Sequence, residues 1–172
     1  KAFETAYSSV LSGDLTLPAA RCRLKESCEA TRDLFVFLCG MVAPLTAVAS
    51  ERIEVLRTKF NPSEEERNPN MKFCQNRLAS LLAEDPDLQK LLKKQSRSWE
   101  QYDIFLKKVL DSVLSKQYYK DYMASAESSL AQDCQLFSRI FEEELEDNID
   151  LEAILEDLSL YWSGDLSYAL SW

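Results

Sequence analysis

Asp33-Leu-Phe-Val-Phe-Leu-Cys-Gly-Met-Val-Ala-Pro-Leu-Thr-Ala-Val-Ala-Ser-Glu-Arg-Ile-Glu-Val-Leu-Arg-Thr-Lys-Phe60 is the stretch that decides the fold. From Leu34 to Ala49 it carries no charged residue. A helix that is apolar all round is buried among several partners. The other apolar segments of the chain are one-sided, which makes this one the hub they pack on. The uncharged run is shorter than the ~20 residues of a membrane span, holds Gly40 and Pro44, and is flanked by dense charge, so it reads as a core helix. Pro44 removes a backbone donor and clashes with the preceding turn, which predicts a kink or break near Gly40 to Ala43. The hub is then two stacked pieces, the second amphipathic over Ser50 to Phe60.

With 172 residues and 46% hydrophobic content, the chain can bury one good core or two small ones. Three Gly and five Pro leave little room for hairpins, and alternating β-branched runs are absent. The expected class is all-α, a helical bundle of about seven to nine helices around the buried, Pro-kinked hub.

Upstream of the hub, a first helix runs from Lys1 to about Ser12 and ends at Gly13. Asp14 to Thr16 form a turn, and Pro18 opens a second helix capped near Thr16 or Leu17, which continues into the hub as the second arm of a hairpin. Downstream, residues 61–70 (Asn-Pro-Ser-Glu-Glu-Glu-Arg-Asn-Pro-Asn) form a linker with one turn of helix at the capping-box pair Ser63 and Glu66. This divides the chain into first helices over 1–60 and a helical segment over 71–172 packed on them. Within that segment, helices are expected over Asn70 to Glu84, after Asp85-Pro86, and from Tyr102 through Leu114. Two more are expected from a Ser125 cap along Leu130, Cys134, Phe137, Ile140, Phe141 and Leu145, and from an Asp150 cap through Leu158.

Five Cys without a Cys-x-x-Cys pair point to buried thiols in a reducing cytoplasm. There is no His, which removes His-Cys zinc sites, Glu-x-x-His di-iron sites and the commonest general base. No cofactor or metal is implied. Gly13, Gly40 and Gly164 stand alone, so there is no phosphate cradle. Ser8-Ser9 and Ser128-Ser129 have no base beside them. The carboxylate run Glu142 to Asp147 reads as a solvated face, because catalytic carboxylates need contrasting environments across a cleft. Catalysis is not expected.

The net charge of −9 divides into −2 over residues 1–87, +5 over 88–120 and −12 over 121–172. Any nucleic-acid contact must therefore be local. Lys90, Lys93, Lys94 and Arg97 are spaced to line one helical face, followed by Trp99, Tyr102, Lys107 and Lys108. Cations for phosphates and rings under bases are how single-stranded RNA is often held. The plainer reading has the lysines facing water and Trp99 packed inward. Tyr118, Tyr119 and Tyr122 form an aromatic cluster that serves as a candidate partner surface, as does the acidic third.

Lys1-Ala-Phe-Glu-Thr-Ala-Tyr7 resembles the first helix of the transcription antitermination factor NusB, in the long form that carries a helical insertion. Further short pieces resemble it in order: Glu51-Arg52-Ile53-Glu54, Asn68-Pro69-Asn70 with Phe73, Asn76 and Arg77, Trp99, Tyr122-Met123-Ala124-Ser125, Glu127-Ser128-Ser129, Tyr161-Trp162 and Asp165-Leu166. The resemblance implies an all-helical protein that binds boxA-like RNA and the ribosomal protein NusE in the RNA polymerase elongation complex. On this reading the family's arginine-rich start would precede Lys1 and its second helical half would follow Trp172. Lys1 joins the basic residues as a candidate RNA contact. Gly40, Pro44 and the acidic run Glu142 to Asp150 depart from the pattern. On the same reading, an apolar face around Phe3, Tyr7 and Leu170 to Trp172 has lost partners that lie outside the chain, and homo-oligomer formation through such a patch would follow.

Overall fold

The computed structural model describes residues 1–13, 16–95 and 97–172, and the turn expected at Asp14 and Leu15 and the break at Ser96 lie outside them. The protein is all-α, with eleven α-helices among the described residues. The number exceeds the expected seven to nine because several connections form short helices of their own.

The first helix, α1 (Ala2–Leu11), ends at Gly13, whose φ of 71° is the left-handed conformation that a terminating glycine supplies. Thr16 stands at the N-cap position of α2 (Leu17–Cys39) without a side-chain capping bond, Pro18 lies in the first turn, and α1 packs back on α2 as a hairpin. The hub then breaks at Gly40 and Met41, and α3 (Val42–Thr58) begins afresh. Pro44 sits in the first turn of α3, where a missing N–H costs nothing, whereas in one continuous helix its ring would strike the Gly40 carbonyl.

The break leaves α2 carbonyls unpaired. Gly40 donates to Val36 and Met41 to Leu38, so the Phe37 carbonyl has lost its place in the ladder. The indole Nε1 of Trp99 takes it at 2.7 Å. Trp99 comes from a 3-10 turn over Trp99–Tyr102, and its ring stacks on Phe37 with centroids 4.4 Å apart. On another side of Phe37 lies Trp162, centroids 5.4 Å apart, from a 3-10 turn over Leu160–Trp162; its Nε1 donates to the Ala30 carbonyl at 2.8 Å. Gly40 is required for a second reason: a Cβ there would lie 2.9 Å from Leu92 Cδ2 and 3.1 Å from the Phe37 carbonyl oxygen.

One hydrophobic core runs from Leu34 to Ala169 and draws on both residues 1–60 and residues 71–172. A window of the hub apolar enough to cross a membrane has 56% of its residues buried in this core. The second half of the hub departs from expectation: α3 projects beyond the core after Ser50, and Val55, Leu56 and Phe60 are exposed. The capping box at Ser63 and Glu66 forms and starts α4 (Glu64–Arg67).

Three helix starts are corrected. The helix expected from Asn70 begins at Arg77 (α5, Arg77–Glu84), because Asn76 Oδ1 accepts from the Ala79 N–H while residues 72–75 turn to put Phe73 in the core. Asp85 caps α6 (Pro86–Gln95) through the Leu88 N–H at 2.7 Å, as expected. Beyond α7 (Asp103–Ser115) and α8 (Gln117–Ala124), the cap of α9 (Leu130–Ile140) is Ser129; Ser125 Oγ instead accepts from Glu127 N and Gln132 Nε2. The cap of α10 (Ile149–Leu158) is Asn148, whose Oδ1 accepts from Leu151 while its Nδ2 donates to the Glu144 carbonyl, so one side chain serves both ends of the break. Last comes α11 (Leu166–Leu170).

Leu45 is fully buried on α3 and Leu160 is 88% exposed. Leu45→Ala is expected to lower stability by about 2–5 kcal/mol, while Leu160→Ala should stay within about 0.5 kcal/mol. Urea denaturation checks both, with the dependence on urea unchanged in each.

Candidate nucleic-acid interface

The basic segment enters the structure on α6. Asp85 and Pro86 start the helix, and its Leu88, Leu91 and Leu92 side is half-buried toward α2 and α5. Opposite that side, Lys90, Lys93 and Lys94 face solvent. Lys90 has only an exposed contact with Asp87 at 3.4 Å, and among the described residues Lys93 and Lys94 make no ion pair.

The remaining sequence candidates are occupied. Arg97 lies flat over the Trp162 ring, 4.2 Å from its centroid, and donates to the Leu158 carbonyl at 2.9 Å. Trp99 is 2% exposed and cannot stack under a base. Lys107 pairs with Asp103 at 2.6 Å and Lys108 with Asp150 at 2.7 Å, both in water. Lys1 reaches Asp165 at 2.7 Å and the Tyr161 carbonyl at 3.2 Å. Of the seven candidate RNA contacts, the fold therefore gathers Lys90, Lys93 and Lys94 on one open surface and commits Arg97 and Lys1 elsewhere.

Beside that surface runs a groove of about 510 Å³ that sequence reasoning missed. It opens where the hub breaks, with Gly40, Ala43 and Pro44 on one wall, Leu88 and Leu92 on the other, and Lys93 and Arg97 at its rim. The signal was present in the Gly40 and Pro44 pair, but only the packing of α6 against the break makes it a groove. Cys39 also lines it; burial pushes its thiol up to about 11, so it is a protonated apolar group and not a nucleophile at neutral pH.

The aromatic cluster is not a free partner surface. Tyr119 and Tyr122 are buried, and Tyr118 is half-buried. Tyr122 donates to Asp133 Oδ1 at 2.7 Å, and Asp133 Oδ2 accepts from the Arg77 N–H at 2.9 Å. Lys72 closes this network: its ammonium lies 4.2 Å from the Tyr122 ring centre and donates to the carbonyls of Tyr122 and Ser125 and to Gln132 Oε1.

The carboxylate run is exposed at Glu142, Glu143, Glu146 and Asp147, but Glu144 is buried. A single π turn over Phe141–Leu145 carries it inward, where Lys116 lies at 3.2 Å and Tyr118 donates to it at 3.2 Å. Among the described residues no group of three or more Cys, Asp or Glu side chains is placed to hold a metal ion.

No family model matches the chain, and neither a curated protein nor a solved structure matches it.

Burial pushes the Tyr119 phenol up to about 12. Burial with the Glu144 carboxylate raises Tyr118, and burial with the bond to Asp133 raises Tyr122. The fold thus favours the protonated phenols: the stability they contribute is complete below the ordinary tyrosine range and is lost as pH climbs through it. At about pH 11 the native protein should withhold part of the phenolate absorbance at 295 nm, and urea at the same pH should release it.

Proposed function

We propose that the chain is the leading part of a NusB-type antitermination factor, a cytoplasmic module without catalysis that binds boxA-like single-stranded RNA and NusE in the RNA polymerase elongation complex. The observation that carries the RNA reading is the open cationic surface of Lys90, Lys93 and Lys94 bordering an apolar groove on an otherwise acidic chain. Phosphates fit the three ammonium groups, and a base fits the groove beside them.

The short pieces that resemble the family also meet in space. Asn70 donates to the Met123 carbonyl at 2.9 Å, Asn76 to the Tyr122 hydroxyl at 3.4 Å, and Asp165 pairs with Lys1 at 2.7 Å. Matches far apart in sequence that touch in the fold support reading them as one pattern and not as separate coincidences.

The alternative is a scaffold for protein contact alone. With Tyr119 and Tyr122 buried, it depends on the acidic outer side of α10, where Glu152, Glu156 and Asp157 are exposed.

Fluorescence anisotropy of a labelled boxA-like RNA at about 50 and 200 mM salt separates the two readings. Three neutralised phosphates on a single strand give a log-log slope near −2, a loss of about twentyfold across that range. Lys93→Ala with Lys94→Ala should weaken binding and remove about two thirds of the slope. An unchanged slope in that variant moves the RNA site off α6. No binding, with or without NusE, leaves the scaffold reading ahead.

A further inference from the structure

Apart from the groove at the hub break, a cavity of about 420 Å³ opens where α2, α5, α9 and α11 meet, a size within the range of small-molecule sites. Its walls are apolar residues that the bundle leaves half-covered: Phe35 on α2, Leu78 and Leu82 on α5, Phe141 after α9, and Leu170 on α11. Each belongs to the core-facing side of its element, and the four helices converge without closing over them.

Rings dominate these walls. Phe35 and Trp172 meet with centroids 5.5 Å apart, and Phe137 and Phe141 with centroids 6.4 Å apart, so two ring pairs border one cavity. Tyr168 meets Trp172 in a T-shaped contact, centroids 5.3 Å apart, which steadies that indole at the edge. The one charged side chain on the walls is Glu142. The π turn over Phe141–Leu145 sets it there, carrying Glu144 inward and leaving Glu142 beside Phe141 at the cavity. Glu143 pairs with Arg139 at 3.6 Å and Glu144 with Lys116 at 3.2 Å, whereas Glu142 makes no ion pair among the described residues.

These groups select a ligand by charge. A carboxylate or phosphate would meet Glu142 with no Lys or Arg on the walls to receive it. A neutral hydrophobe would cover Glu142 without replacing the water that the carboxylate loses. An ammonium group with apolar substituents answers both, its charge facing Glu142 and the electron-rich ring faces and its carbon covering Leu78 and Leu82. The −12 carried by residues 121–172 further raises the local concentration of cations. We propose that this cavity binds a small alkylated ammonium compound, held against the Trp172 and Phe141 rings with Glu142 as its counter-ion. The site is independent of the RNA reading.

NMR of the isotope-labelled whole chain tests it, with benzyltrimethylammonium as the probe and the Trp172 Nε1 signal, assigned by Trp172→Phe, as the reporter. The probe is expected to move that signal with a Kd of ~1 mM, in keeping with its size, while the Trp99 and Trp162 signals stay in place. Phenylacetate, of opposite charge, and benzyl alcohol, uncharged, should bind at least about tenfold more weakly. Glu142→Gln should weaken the cation about three- to fivefold and leave benzyl alcohol unchanged. Ser138→Phe, at an exposed position on the wall, puts a ring into the cavity and should abolish binding with the buried indole signals still in place. A Trp172 signal that does not move up to about 20 mM probe overturns the proposal. So does phenylacetate or benzyl alcohol binding as tightly as the cation, or a cation affinity indifferent to Glu142→Gln or to Ser138→Phe.

Discussion

One carbonyl oxygen organises the molecule. Had α2 and α3 been a single helix, the Phe37 carbonyl would have accepted from Met41; with Pro44 four residues beyond Gly40, that helix cannot run straight. A buried carbonyl without a partner costs about 1–3 kcal/mol, so the break needs a donor from elsewhere. Trp99 supplies it and brings its ring onto Phe37, and Trp162 closes on another side of the same ring. Segments roughly sixty and more than a hundred residues away are thereby fastened to α2. The cationic surface follows from this, because Arg97 stacks on Trp162 and leaves Lys90, Lys93 and Lys94 as the open cations of the segment.

A second anchor holds the far end of the bundle. Asp133 is buried between α5 and α8, accepting from Arg77 N and from Tyr122, while Lys72 satisfies the carbonyls that end α8. Buried polar networks of this kind are costly when half-made, and here each member has its partner. The same network withdraws Tyr122 from the surface.

What the sequence revealed was whatever is decided locally. Gly13, Pro18, the Ser63 and Glu66 box and the Asp85-Pro86 start all act within a turn of themselves, and each does in the structure what its chemistry predicts. The readings that changed depend on partners far along the chain. Asn76 and Ser129 outcompete better-placed caps because the turns before them are spent on Phe73 and on Ser125. Glu144 looked solvated because nothing in a run of carboxylates announces a π turn, and its burial needs Lys116 and Tyr118 from other helices. Of the site, the three lysines were legible from spacing alone. That Trp99 serves the core was legible only as one of two readings, and the groove not at all, since it forms between α6 and a break in another helix.

The indole protons test this account most directly. Trp99 and Trp162 donate to α2 carbonyls inside the bundle, whereas Trp172 is 57% exposed. Hydrogen exchange followed by NMR, with each indole assigned by a Trp→Phe variant, is expected to find the Nε1 protons of Trp99 and Trp162 strongly protected, opening only with the bundle, and that of Trp172 exchanging freely. If the Trp99 proton exchanges as fast as that of Trp172, the Phe37 carbonyl is not held by it, and the hub is organised in some other way.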